Sequence, residues 1–130
     1  MKDAVLLIED DFAVRVTISE FLDLLIDTDN IHIAAAENLM QARAVLQQYA
    51  VRLIVTDVNL GMGMDALTLA SELHEQGNRP YIIVISSVYG LQKTNKYLKD
   101  GVVDTFLSKP FKLNELQDRL KESGAVALKI

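Results

Sequence analysis

Cysteine is absent from this sequence, and proline occurs only twice and glycine six times in 130 residues. Without thiols, a disulfide scaffold, a thiolate zinc site and cysteine catalysis are all excluded. The prolines and glycines are scattered, no tract is of low complexity, and no segment repeats. No apolar run approaches the roughly 20 residues needed to cross a bilayer. Met1-Lys2-Asp3-Ala4 leads straight into a strand-like run without a signal-peptide layout, so the expected location is cytoplasmic, with no membrane partner. Positive charge is also short: 13 Lys+Arg stand against 18 Asp+Glu, a formal net charge of -5. A nucleic-acid module normally carries a basic stripe, so direct nucleic-acid binding is not expected.

Half of the residues are hydrophobic and 24% are charged. At about 150 residues per domain that composition describes one folded unit with a single core. Val5 to Ile8, Ile31 to Ala35, Val51 to Val55, Tyr81 to Ile85 and Thr105 to Leu107 read as five short strands. Four are rich in Val, Ile or Leu with little polar alternation, the pattern of strands buried on both faces. Helical periodicity lies between them. Val14, Ile18, Phe21, Leu22 and Leu25 share a face of the first helix, Leu39, Ala42, Leu46 and Tyr49 of the second, and Ala66, Leu69, Ala70 and Leu73 of the third. Leu91 and Leu98 mark a weaker fourth, and Leu113, Leu116 and Leu120 a fifth that ends at Gly124.

Strict alternation of strand and helix requires a parallel sheet covered on both faces, because parallel neighbours need a long crossover and the helix supplies it. Five units are too few for a closed eight-stranded barrel. The expected fold is therefore α/β, a flavodoxin-like doubly wound (βα)5 sandwich of strand order 2-1-3-4-5, with a crevice where the carboxyl ends of strands 1 and 3 meet. Residues 1–122 form the domain, and 123–130 are a C-terminal tail or the start of a linker.

The strand ends carry the chemistry. Strand 1 runs into Glu9-Asp10-Asp11, strand 3 into Thr56-Asp57, strand 4 into Ser86-Ser87 and strand 5 into Ser108-Lys109-Pro110. Each alone reads equally well as a helix cap. Together they place Asp10 and Asp57 on adjacent strand ends with Glu9 alongside. Two such charges about 4 Å apart repel by roughly 4 kcal/mol at an effective dielectric near 20, a cost that a domain of modest stability must answer with a cation. Lys109 supplies one. Oxygen-only ligands also suit a hard divalent ion, Mg2+ ahead of Mn2+ or Ca2+. His32 and His74 have no ligand partners at metal spacing and read as packing or surface residues. A carboxylate beside such an ion, with an ammonium and a hydroxyl converging on it, is suited to accept a phosphoryl group as an acyl phosphate.

These motifs, Leu7-Ile8-Glu9-Asp10-Asp11, Ile54-Val55-Thr56-Asp57-Val58-Asn59-Leu60, Val84-Ile85-Ser86-Ser87 and Leu107-Ser108-Lys109-Pro110-Phe111, together resemble the receiver domain of two-component response regulators over residues 4 to 122. The resemblance implies that Asp57 is the phosphoacceptor, charged by a sensor histidine kinase or histidine phosphotransfer protein in an Mg2+-dependent reaction, with Mn2+ a substitute. Asp10 would bind the metal directly, Glu9 mostly through water, and the Asn59 backbone carbonyl would be the third protein ligand. Lys109 matches the family's lysine, followed by a proline whose peptide bond is usually cis. Ser86 matches its hydroxyl, with Ser87 the rival; Ser86 keeps the usual distance to Gly101. Phe106 lies where receivers carry an aromatic switch coupled to that hydroxyl. The face of helix 4, strand 5 and helix 5 would then change to control an output domain or target protein, or pair with a second copy. Such a chain is a signalling phospho-acceptor and no enzyme beyond its own phosphorylation and dephosphorylation.

Lys93, Lys96 and Lys99 on that face read as a solvated stripe, with an acidic partner or second copy as the alternative. Departures from the family pattern also stand out. Gly61 replaces the usual Pro and Asp65 the usual Gly, and both the Gly61-Met62-Gly63-Met64 loop and the Gly101 to Lys109 segment are one residue longer than is usual in the family. A flavin-mononucleotide binder would need a phosphate loop where Glu9-Asp10-Asp11 stands. A haloacid-dehalogenase-type phosphatase would need a second acid where Asn59 stands. The remaining alternative is a phosphorylation-independent pseudo-receiver that serves as a docking module.

Overall fold

The computed structural model describes residues 1–58, 60, 65–77 and 79–129. Each apolar run becomes a strand and each periodic segment a helix: β1 (Asp3–Ile8), α1 (Phe12–Leu25), β2 (His32–Ala36), α2 (Leu39–Gln48), β3 (Ala50–Thr56), α3 (Ala66–Gln76), β4 (Tyr81–Ser86), α4 (Val88–Lys99), β5 (Thr105–Ser108) and α5 (Leu113–Ser123). All pairings in the sheet are parallel, and the order is β2-β1-β3-β4-β5. The expected doubly wound fold is thus the observed one.

Strand alternation divides the core into two layers. Leu6, Ile8, Ile54, Ile82 and Val84 pack with α2, α3 and the end of α4, whereas Val5, Leu7, Leu53, Val55, Ile83, Ile85 and Leu107 pack with α1 and α5. Successive residues therefore serve opposite layers, which explains why the buried stretches Ala4–Ile8, Leu53–Val55 and Ile82–Ile85 of the central strands are apolar without alternation. β2 is the exception: it lies at the sheet edge, and only Ala34 and Ala36 of its residues are buried.

The starts of α1, α2 and α3 are set by short polar side chains. Asp11 caps α1 through Val14 N (3.0 Å), Asn38 caps α2 through Gln41 N (2.9 Å) and Asp65 caps α3 through Leu67 N (2.8 Å). Two expected helix positions shift. Tyr49 leaves the face of α2, because the chain is already extended there in preparation for β3, and its ring stacks on His32 at 5.1 Å between centroids. In α4 the buried positions are Gly90 and Thr94, while Leu91 and Leu98 are half-buried. Small residues thus let this helix lie close to the sheet.

The C-terminal residues are part of the body. Gly124 adopts a left-handed conformation (φ 60°) that ends α5 and turns the chain back. Ala125, Val126 and Leu128 then pack on the α1/α5 layer, and Leu128 bridges Ile26 in antiparallel fashion. Asp27 N donates to Ala127 O (2.9 Å), Lys129 N to Leu25 O (2.8 Å) and Lys129 Nζ to Asp23 O (2.8 Å). Through the two Lys129 bonds, the Asp23 and Leu25 carbonyls at the end of α1 are satisfied. Removing residues 125–130 is expected to cost about 2 to 3 kcal/mol, the worth of three half-buried apolar side chains and their bonds, read as a lower urea midpoint. An unchanged midpoint would mean that the tail is not docked in solution.

Candidate functional site

β1 and β3 are neighbours, so their carboxyl ends emerge together. Asp57 N donates to Ile8 O (3.1 Å), and Glu9 N donates to Ala36 O (3.0 Å). These main-chain bonds set the two carboxylates side by side. Lys109 arrives from β5, its own N–H bonded to Ser86 O at 2.9 Å, and its Nζ lies 3.1 Å from Glu9 Oε2 and 3.1 Å from Asp57 Oδ2. The Lys109-Pro110 peptide bond is cis, as the resemblance implies. The free oxygens are also engaged: Asp57 Oδ1 accepts Val58 N (2.6 Å), and Glu9 Oε1 accepts Asp11 N (3.2 Å).

Burial sharpens this arrangement. The Glu9 side chain is only 3% exposed, against 16% for Asp57 and 27% for Lys109. Burial pushes the Glu9 carboxyl above its ordinary value, an effect that outweighs the opposing contacts with Lys109. Burial also acts to lower the Lys109 ammonium, but hydrogen bonds and attraction from Asp57 and Glu9 prevail and hold it above the ordinary lysine value.

Not every expected residue joins this centre. Asp10 is exposed at its rim, and Asp11 is the α1 cap. Asn59 and the Gly61–Met64 loop lie outside the described residues. Among the described residues, no three carboxylate or imidazole groups are clustered closely enough to hold a metal by themselves. A magnesium ion does not require such a cage, since it keeps several waters and uses one or two carboxylates together with phosphate oxygens. Glu9 and Asp57, with Asp10 beside them, provide a donor set of oxygens that fits this ion.

Arg15 had no signal in the sequence. It is largely buried and donates through NH1 to Glu9 O (2.9 Å) and Asp10 O (3.4 Å), with its other nitrogen 3.8 Å from Glu37. It therefore fixes the loop that carries the acidic pair. A basic residue on a helix reads as a solvated one, and its acceptors here are main-chain carbonyls that no side-chain pattern displays.

The two serines at the end of β4 have different surroundings. Ser86 is buried, and its Oγ crowds the backbone of Gly90: a β-carbon added at Gly90 would lie 2.3 Å from it. Its hydroxyl is thus on the α4 side, where Phe106 also packs. Ser87 is exposed and precedes α4 without capping it. Ser86 meets Lys109 through the main chain, its O accepting Lys109 N, and among the described residues its hydroxyl is not one of the hydrogen-bond partners of Glu9, Asp57 or Lys109 Nζ. Phe106 is half-buried opposite Val84, and its carbonyl accepts Arg119 Nε at 3.4 Å. Lys93 pairs with Asp65 at 2.8 Å and so ties α4 to the cap of α3, while Lys96 and Lys99 are exposed.

The family model described as the response regulator receiver domain matches residues 5–121. The chain belongs to the response regulator receiver domain family. Solved structures share the fold of this receiver domain. The signal receiver domain of an HD domain-containing protein from Pseudomonas fluorescens matches with a TM-score of 0.78 at 23% identity, covering 94% of this chain and 86% of that one. The chemotaxis response regulator CheY4 of Vibrio cholerae matches at 0.74 and 20% identity, covering 95% and 99%. NtrX from Brucella abortus, crystallised in complex with ATP, matches at 0.78 and 22% identity, covering 95% of this chain but only 27% of that longer one. No curated protein matches this chain in sequence. Among the described residues, no helix is long and apolar enough to cross a membrane.

Proposed function

We propose that this receiver domain accepts a phosphoryl group on Asp57 from a phosphohistidine on a sensor histidine kinase or phosphotransfer protein, in the cytoplasm, and passes the signal to an output domain or target protein. The observation that carries this reading is the Lys109 ammonium, held 3.1 Å from both Glu9 and Asp57 at the carboxyl edge of the sheet. A carboxylate oxygen of Asp57 attacks phosphorus and forms an O–P bond. The N–P bond of the donor breaks, and its electron pair returns to the imidazole nitrogen, which takes up a proton. Lys109 remains an ammonium throughout and neutralises charge on the transferring oxygens. Asp10, Asp57, the Asn59 carbonyl and, through water, Glu9 are the groups that would hold Mg2+, which when bound neutralises the phosphoryl oxygens. Phe106 and the surface of α4, β5 and α5 are the elements that would respond, by a shift between two populations.

Incubation with Mg2+ and a small acyl phosphate tests the reading. Intact mass is expected to rise by one phosphoryl group, with no rise after chelation or in Asp57→Ala. A chain that never gains the adduct, or an adduct that survives Asp57→Ala, would replace this reading with a phosphorylation-independent docking module.

A further inference from the structure

At the amino edge of the sheet, away from the candidate site, one guanidinium gathers three segments of chain. Arg79 lies just before β4. Its NH1 donates to Asp104 Oδ2 (2.7 Å) and to Pro80 O (2.9 Å), and its NH2 donates to Asp104 Oδ1 (3.0 Å) and to Gly101 O (2.7 Å). Asp104 in turn reaches β4, since its Oδ2 accepts Ile82 N (2.8 Å) and its own N–H donates to Ile82 O (3.0 Å). The start of β4, the turn after α4 and the residue before β5 are therefore joined through one ion pair whose side chains are 18% and 23% exposed. A guanidinium that meets both carboxylate oxygens fixes orientation as well as distance, which a single ammonium contact does not.

The two ends of α4 are held unequally. At the carboxyl end, Gly101 takes a left-handed conformation (φ 74°), and Val102 N and Val103 N both donate to Tyr97 O (2.9 and 3.1 Å). Val102 and Val103 are buried, in the layer against which Tyr97 and Leu98 also pack. At the amino end, Ser87 makes no capping bond, and Val88 and Tyr89 are exposed. Contact with the sheet is left to Gly90 and Thr94, which bring little apolar surface. The pair of Lys93 with Asp65 adds a half-exposed ammonium, a kind of contact that contributes little in solvent. Charge-assisted bonds in a largely buried setting outweigh it.

We infer that Arg79 and Asp104 form a clamp that makes the carboxyl end of α4 its fixed end, so that α4 opens from its amino-terminal end. The segment that leaves the sheet is Val88 to Thr94, whereas Lys96 and Lys99 keep their place. Because α4 belongs to the surface proposed to respond, the clamp determines which part of that surface can move. Arg79 is a positioning residue: its partners are Asp104 and main-chain carbonyls. The clamp itself does not depend on phosphorylation.

Hydrogen exchange of the unmodified chain, resolved to single amides by NMR, tests the clamp in wild type, Arg79→Met, Arg79→Lys and Asp104→Asn. In wild type, the amides of Leu98, Val102 and Val103 are expected to be protected about tenfold or more beyond those of residues 91–93. An opening that breaks the clamp becomes easier when a partner is removed, and one that spares it does not. Protection at Leu98, Val102 and Val103 is therefore expected to fall about tenfold or more in Arg79→Met and Asp104→Asn, while residues 91–93 stay within about threefold of wild type. Arg79→Lys keeps the charge without the second arm and is expected to lose at least about threefold at the same three amides; should Arg79→Met fail to fold, it carries the same comparison. Equal protection along α4 in wild type, an equal fall at both ends in the variants, or full protection in the variants overturns the clamp. Since no phosphodonor is present, a chain that never gains an adduct on Asp57 would overturn the phosphoacceptor reading and leave this result intact.

Discussion

Exchanging Lys109 for methionine is expected to have the largest single effect on this domain, on both stability and phosphoryl transfer. Methionine keeps the length of the side chain but removes the charge that faces Glu9 and Asp57 at 3.1 Å each. Glu9, with 3% of its side chain exposed, is then left beside a second carboxylate without a compensating cation. Removing one partner of a fully buried pair costs roughly 3 to 5 kcal/mol. Lys109 is 27% exposed, so solvent screening brings the expected loss down to about 2 to 3 kcal/mol. Adduct formation is expected to slow by about a hundredfold, since the ammonium also meets the charge that develops on the transferred group. Addition of Mg2+ is expected to raise the urea midpoint of Lys109→Met more than that of wild type, because the ion restores positive charge between the same carboxylates. Equal midpoints and equal rates in the two proteins would show that the observed contacts contribute little.

The layered fold was legible because its signals are local and redundant. Val5 to Ile8 and Tyr81 to Ile85 are too short for helices and too apolar for a one-sided sheet, and the structure buries both faces of each. Helix faces such as Ile18, Leu22 and Leu25 were equally clear. Less was visible in α4, where contact with the sheet is made by Gly90 and Thr94, residues that ordinarily argue against a helix interior. The docking of Ala125 to Lys129 was also hidden, since an antiparallel bridge to Ile26 depends on where two distant segments meet.

Within the site, residues read from their place after a strand fared differently from those that depend on direction. Glu9, Asp57 and Lys109 come together because β1, β3 and β5 end at one edge, which chain order and strand count already determine. Ser86 and Ser87 occupy the same edge, yet a shift of one residue moves a side chain to the opposite face. Spacing to Gly101 says nothing of direction, whereas the structure seats the Ser86 side chain against Gly90, on the side where Phe106 also packs. Asp65 shows the same limit. It stands where the family pattern has glycine, and only the three-dimensional arrangement joins it both to the first turn of α3 and to Lys93 of α4.

Glu9→Gln is expected to remove a loss of stability that sets in as pH rises through the acid range, rather than simply weaken the protein. Burial raises the Glu9 carboxyl above its ordinary value of 4.5, so the folded state holds this proton more tightly than the unfolded chain. A raised carboxyl contributes stability that is fully present below the unfolded value and is lost as pH climbs through the folded one. Glutamine has the same shape and no proton to lose, so Glu9→Gln removes that decline. In metal-free buffer, the stability of wild type relative to the variant is therefore expected to fall as pH rises from about 4 toward neutrality. Lys109 sets the opposite limit of the range. Its ammonium is held above the ordinary 10.5 by Asp57 and Glu9 despite the burial that opposes it, so its contribution is complete below 10.5 and is lost as pH rises through the folded value. Glu9→Gln leaves Asp57 in place, and the alkaline loss is expected to persist in a smaller form. Urea midpoints of the two proteins measured across this range check both limbs. A relative stability that rose with pH through the acid region would mean that Lys109, and not burial, governs the Glu9 carboxyl.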